Sequence, residues 1–217
     1  MTQMGSPSSP AAAPREDGVL HLLREVTVAH AKLERIIEDA FDAGPGLPDL
    51  VVLSTDISDE LDHLRGRVSR KTRAAPENVL LPLVCLYDER VLLRVAPLGG
   101  SEEWLRVQRR DYAPREDGGD LFFEELAPLV PRAEQLANQP PSDERDRVLL
   151  LLTLYRFCLS EGFTGGYAGA PDLLRERAEE VQSALRLLVP PAPRAAPLAI
   201  RQPPESWLAR LRKALSL

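Results

Sequence analysis

Residues 76–95 read PENVLLPLVCLYDERVLLRV, and the fold turns on how that run is taken. Apolar residues fall on nearly every side of a helical wheel, so the pattern predicts a helix enclosed by others rather than one with a wet face. Pro82 removes one backbone donor and is expected to kink the first turns. A second run of this kind, VLLLLTLYRFCLS at 148–160, predicts another central helix, capped by Ser142-Asp143-Glu144. Sustained period-two alternation and hairpin turn signals are absent from the chain, which argues against strands.

Working outward, Leu22, Val26, Ala29, Leu33, Ile36 and Ala40 recur in steps of four and three. They predict an amphipathic helix from about Val19 to Ala43, ended by GPGLP at 44–48. Ile57, Leu61, Leu64 and Val68 predict a second helix over about 49–73, its other face charged and solvated. Ser101 is the expected N-cap of a short fourth helix ending before Pro114. Asp120 is the expected N-cap of LFFEEL, which Pro128 and Pro131 interrupt, and RAEQLAN at 132–138 reads as a short solvent-side helix. From Pro171, Leu174, Ala178, Val181, Leu185 and Leu188 form the last stripe.

The expectation is an all-α, compact bundle of about seven helices over residues 18–189. A Ser/Pro/Ala tail at 1–17 has little to bury and is expected to be disordered. A Pro-rich tether comes next, at 190–204. Residues 205–217 read as a basic amphipathic helix, with Trp207, Leu208, Leu211 and Leu215 on one face and Arg210, Arg212 and Lys213 mostly off it.

The 217 residues are 44% hydrophobic and 28% charged, enough for one domain with a core. A net charge of −6 supplies no basic field for a phosphate backbone, so nucleic acid is not expected as a partner. Cys85 and Cys158 sit in apolar runs without C-x-x-C spacing and read as small buried hydrophobes of a reducing compartment. The N-terminus lacks a signal-peptide pattern, and no apolar run reaches the roughly 20 residues of a membrane span. Cytoplasmic residence is expected.

Little points to catalysis. Asp88 and Glu89 are adjacent, so on a helix they diverge by about 100° and cannot face one another as an acid/base pair. Asp88 shares an apolar stripe with Leu81, Cys85 and Leu92. There a carboxylate needs backbone N–H groups from a neighbouring helix start or an arginine, failing which it is a catalytic acid of raised pKa. His21, His30 and His63 make no helical metal pair, and no cofactor or metal is expected. A second reading, a small helical hydrolase or metal enzyme, would use Asp88 and Glu89 with His63.

The glycines of FCLSEGFTGGY at 157–167 follow a helix, where free carbonyls point out, rather than preceding one, where N–H groups would cradle an anion. Gly162 is therefore expected to end the helix in the left-handed conformation, with Phe163 folding back on it.

Three stretches resemble the DotU/TssL family of bacterial secretion-system proteins: LVCLYDERVL at 83–92, GGDLFFEEL at 118–126 and LLTLYRFCLSEGFTGGY at 151–167. They are similar to that family's L-C-x-x-D-E-x-x-L, G-G-E-x-F-F-x-x-L and L-Y-x-x-C-L-x-x-G-F-x-G-x-Y signatures, in the same order. The resemblance implies a hook-shaped cytoplasmic helical domain without enzymatic activity. Its partners would be a TssM/IcmF-like inner-membrane protein and baseplate proteins of the TssK and TssE kinds, with a homodimer also possible. It further implies that Cys85, Asp88, Glu89, Gly118, Gly119, Asp120, Phe122, Phe123, Tyr155, Cys158, Gly162, Phe163, Gly165 and Tyr167 build the fold and its cleft.

The chain departs from the family at Tyr112-Ala113-Pro114-Arg115, where an aromatic-His-x-Glu run is usual. Members normally continue into a C-terminal membrane-spanning helix. Here residues 205–217 are expected to touch an anionic membrane surface, or else to dock on their own bundle. An anchorless type IVB relative is the alternative within the same resemblance.

Overall fold

The computed structural model describes residues 16–69, 76–111 and 118–189. The N-terminal tail up to residue 15, the tether at 190–204 and the C-terminal segment lie outside the described residues. So do Tyr112 to Arg115. Among the described residues there are eight α-helices: α1 (Glu16–Asp42), α2 (Leu50–Ser69), α3 (Pro76–Val95), α4 (Ser101–Asp111), α5 (Gly118–Leu126), α6 (Leu129–Ala137), α7 (Asp143–Ser160) and α8 (Pro171–Leu188). Two short 3₁₀ turns, Ala96–Leu98 and Gly165–Tyr167, join them, and no strand occurs among the described residues.

The two runs that are apolar all round occupy the centre. Helix α3 packs against α2, α4, α5 and α7, and α7 packs against α1, α3, α6 and α8. Leu83, Leu86 and Val91 of α3 and Leu152, Leu154 and Cys158 of α7 are almost wholly buried. Each such side chain stabilises by about 1.5–3 kcal/mol through burial. Pro82 lies inside α3, which continues through it.

The outer helices bury one stripe each. Leu22, Val26, Ala29 and Leu33 of α1 are buried as the spacing predicts, but Ile37 rather than Ile36 takes the next place. Ile36 and Ala40 pack at the edge of the core. In α2 the whole stripe from Ile57 to Val68 is buried.

Four expectations are corrected. Helix α6 begins at Leu129 and is not a solvent-side piece, because Ala133 and Leu136 are fully buried and the helix packs on α7 and α8. Pro131 is its third residue, where the backbone has no intrahelical acceptor to lose, so the proline opens the helix rather than interrupting it. Asp120 is not the N-cap of α5 but lies in its first turn, with the helix starting at Gly118. Ser101 is already helical, since the Gly100 carbonyl accepts the first helical bond from Trp104 N at 2.9 Å. The charged side of α2 is exposed as expected at Asp56, Asp59, Asp62 and His63, with Glu60 the exception. Glu60 is 8% exposed. It is paired with Arg67 at 3.0 Å and Lys32 at 3.3 Å, while Arg67 also reaches Glu25 of α1 at 2.8 Å.

Ser142 caps α7 as expected, its hydroxyl accepting from Arg145 N at 3.2 Å. The Arg145 guanidinium then closes two other helices. It donates to Leu136 O, Ala137 O and Gln139 O around the end of α6, and to Leu188 O at the end of α8. Four carbonyls at helix ends thus meet one cation, where the dipole favours positive charge.

The stretch Asp143–Tyr167 is long and apolar enough, by length and composition, to cross a membrane, although its apolar run alone is shorter than a span. Its apolar residues from Val148 to Cys158 are buried among α1, α3, α6 and α8, apart from Leu149 and Phe157, which are partly buried at the core's edge, and that packing accounts for their character.

Candidate functional site

The site begins where α7 ends. Gly162 has φ +91°, Phe163 N donates to Cys158 O at 3.1 Å, and Gly162 N donates to Leu159 O at 3.3 Å. These two bonds form a Schellman ending, with glycine in the left-handed position and Phe163 folded onto the helix at 1% exposure. The polarity argument for FCLSEGFTGGY holds: this is a stop.

Two consecutive residues of α3 hold that stop from both sides. Glu89 accepts from Thr164 N at 2.8 Å, Thr164 Oγ1 at 2.9 Å and Gly165 N at 2.6 Å. Arg90 donates to Glu161 O at 2.8 Å and to Glu34 of α1 at 2.7 Å. The acid takes the amides that follow the helix and the arginine takes a carbonyl at its end. An anion does sit on the glycine turn, and it is the protein's own carboxylate.

Backbone contact explains two of the glycines. A Cβ placed on Gly119 would lie 3.0 Å from both Gly165 Cα and Gly166 N. One placed on Gly165, at φ +51°, would lie 2.9 Å from Gly119 O. The first turn of α5 and the 3₁₀ turn therefore touch through their main chains. Around this contact Phe122 stacks with Phe163 (ring centroids 4.1 Å apart) and meets Tyr155 edge-on at 4.7 Å, while Phe123 meets Tyr167 at 4.5 Å. The three motif stretches, far apart in sequence, close on one knot.

Beside the knot lies a cleft of about 680 Å³ between α3, α5, α6 and α7, with Arg65 of α2 and Gln108 of α4 at its edges. Leu81, Val84, Cys85, Leu121, Val148 and Leu151 line it, together with Gly118 and Tyr155. Asp88 lines it with Glu125 and Glu144, and the partner of Asp88 among the described residues is the Gln108 side-chain amide. Among the described residues neither backbone N–H groups from a helix start nor an arginine meets Asp88, and it is its neighbour Glu89 that accepts backbone N–H groups. Burial pushes the Asp88 carboxyl up to about 7, opposed by the hydrogen bond from Gln108.

The remaining sequence-singled residues divide cleanly. Cys85 and Cys158 are buried free thiols. Burial, helped by the charge of Asp88, pushes Cys85 up to about 12, and burial drives Cys158 well above its ordinary value. Both are held as neutral thiols. Asp88 and Glu89 face different elements, and His63 is exposed on α2. The acid, base and histidine of the enzyme reading are not gathered, and among the described residues no group of three or more His, Cys, Asp or Glu is placed to hold a metal.

Sequence reasoning missed a polar cluster behind the knot. His30 Nδ1 shares a 2.6 Å hydrogen bond with Tyr87 Oη, and its Nε2 lies 3.2 Å from a Glu161 carboxylate oxygen. The His30 ring also meets Phe157 edge-on. This ties α1 to α3 and to the end of α7. The DER triplet was the available signal: a charged run in a helix apolar all round must find partners on more than one neighbour.

Fold and site thus define an all-helical protein with a braced turn and an apolar cleft, and no catalytic grouping among the described residues. No family model, curated protein or solved structure matches the chain.

Proposed function

We propose that this protein is a non-enzymatic scaffold subunit of a bacterial secretion-system membrane complex of the type VI kind, working on the cytoplasmic side. It binds a TssM/IcmF-like inner-membrane protein and docks baseplate proteins. One observation carries this reading. The three stretches that resemble DotU/TssL signatures converge on a single knot through Glu89, Gly119, Phe122, Phe163, Gly165 and Tyr167, as pieces of one inherited device would. It rests on motif order and on that convergence. The cleft beside the knot is the surface assigned to partners, and residues 205–217 supply reversible contact with anionic lipid.

The test is affinity purification of the tagged chain from its native cell membranes. A TssM/IcmF-like protein is expected to copurify, and TssK-like or TssE-like baseplate proteins with it. Recovery of neither class would overturn the proposal.

A further inference from the structure

The cleft joins apolar walls to a carboxylate with one oxygen to spare. Helix α3 turns Leu81, Val84, Cys85 and Asp88 to it in steps of three and four, and Leu121 of α5 and Leu151 of α7 line it as well. Asp88 closes that stripe at the Gln108 edge, where the Gln108 amide donates to its Oδ2. An ionised carboxylate accepts at about four lone-pair sites, and Asp88 Oδ1 receives no hydrogen bond among the described residues.

The charged groups around the cleft leave that oxygen open. Arg132 is paired with Glu144 at 2.7 Å and Arg65 with Asp62 at 3.1 Å, while Arg147 and Glu125 are exposed to solvent that screens them. Glu89, next along α3, is turned to the residues after α7. Cys85 and Tyr155 stay neutral, because burial pushes both upward.

This setting selects one class of ligand. A metal ion needs more oxygens than Asp88 supplies, and among the described residues no group of three or more His, Cys, Asp or Glu is placed to hold one. An anion would meet Asp88 and arginines already paired. A wholly apolar molecule would strip water from the carboxylate and give it no partner. An ammonium on an apolar body satisfies both parts of the cleft, its N–H groups reaching Oδ1 and its body covering the leucines. The volume of about 680 Å³ falls within the range of small-molecule sites.

We propose that the cleft binds a small amphipathic amine, its ammonium on Asp88 and its apolar body on Leu81, Val84, Leu121 and Leu151. Binding is linked to a proton. Burial pushes the Asp88 carboxyl up to about 7, and it must ionise to meet the cation, so the complex releases a proton near neutral pH. The site does not rest on the secretion-system reading.

Octylammonium, octan-1-ol and octanoate share one tail and differ in charge. In isothermal titration calorimetry of the full chain at pH 8, octylammonium is expected to bind at least about tenfold tighter than the other two. Its affinity should fall about tenfold from pH 8 to pH 6, and titrations at pH 7 in two buffers of different ionisation enthalpy should show release of about half a proton. Asp88→Asn, which keeps an acceptor for Gln108, should abolish both the preference over octan-1-ol and the pH dependence. Leu121→Gln should weaken octylammonium and octan-1-ol alike. Equal binding of the three probes, tighter binding of octanoate, no saturable binding of octylammonium, or an ammonium preference that survives Asp88→Asn would each overturn the proposal. Copurification of partner proteins bears on none of these readings, so the two proposals fail separately.

Discussion

Glu89 accepts three hydrogen bonds from the turn after α7, and Asp88, one residue earlier, turns into the cleft toward Gln108. Removing the first acceptor leaves Thr164 N and Gly165 N without their partner, so Glu89→Ala is expected to cost about 1–3 kcal/mol in denaturant titration. Asp88 behaves oppositely. Its carboxyl is pushed from 3.8 to about 7 in the folded chain, so the native state holds a proton that the unfolded state releases earlier. Below about pH 3 both states are protonated and the group costs nothing. Stability then falls as pH rises toward 7, to a ceiling on the order of 4 kcal/mol that solvent in the cleft reduces. Asp88→Asn should flatten that slope and make the protein more stable than the parent at pH 8; an unchanged pH profile of the melting midpoint would refute the assignment. The glycines give a matched pair. Gly119→Ala drives a methyl into the backbone of the 3₁₀ turn and should cost about 1–3 kcal/mol, whereas Gly118→Ala, with nothing within 4 Å, should be near neutral.

At the scale of elements, periodicity made α1, α2 and α8 legible, and the caps at Ser142 and Gly162 followed from residue type and helix polarity. Helix α6 was not legible as a core element. Its buried face rests on Ala133 and Leu136, too few residues to show a period, and its prolines read as breaks. Leu136→Ala is expected to cost about 2–5 kcal/mol, the range for a buried leucine, where a solvent-side helix would lose under about 1 kcal/mol. The partners of the DER triplet were illegible for a different reason. Residues one apart on a helix face different neighbours, and nothing in a single sequence says which neighbours those are. For the same reason the residue expected to collect backbone amides was placed one position too early. The cleft, being space between four helices, has no linear signature at all.

For the whole molecule, the sharing of α3 and α7 has a consequence for unfolding. Helices α1, α2, α4 and α5 each rest on one or both of these two, directly or through a neighbour, and α6 and α8 rest on α7. Neither group retains a closed core without them. Far- and near-ultraviolet circular dichroism should therefore report one coincident transition in urea, and two separated midpoints would show that the halves unfold independently.

Arg145 also determines how the molecule carries load. A pull transmitted through Leu188 enters at the one α8 carbonyl this guanidinium holds, and the same cation grips the end of α6 from the first turn of α7. Tension is therefore divided at once among three helices instead of falling on α8 alone.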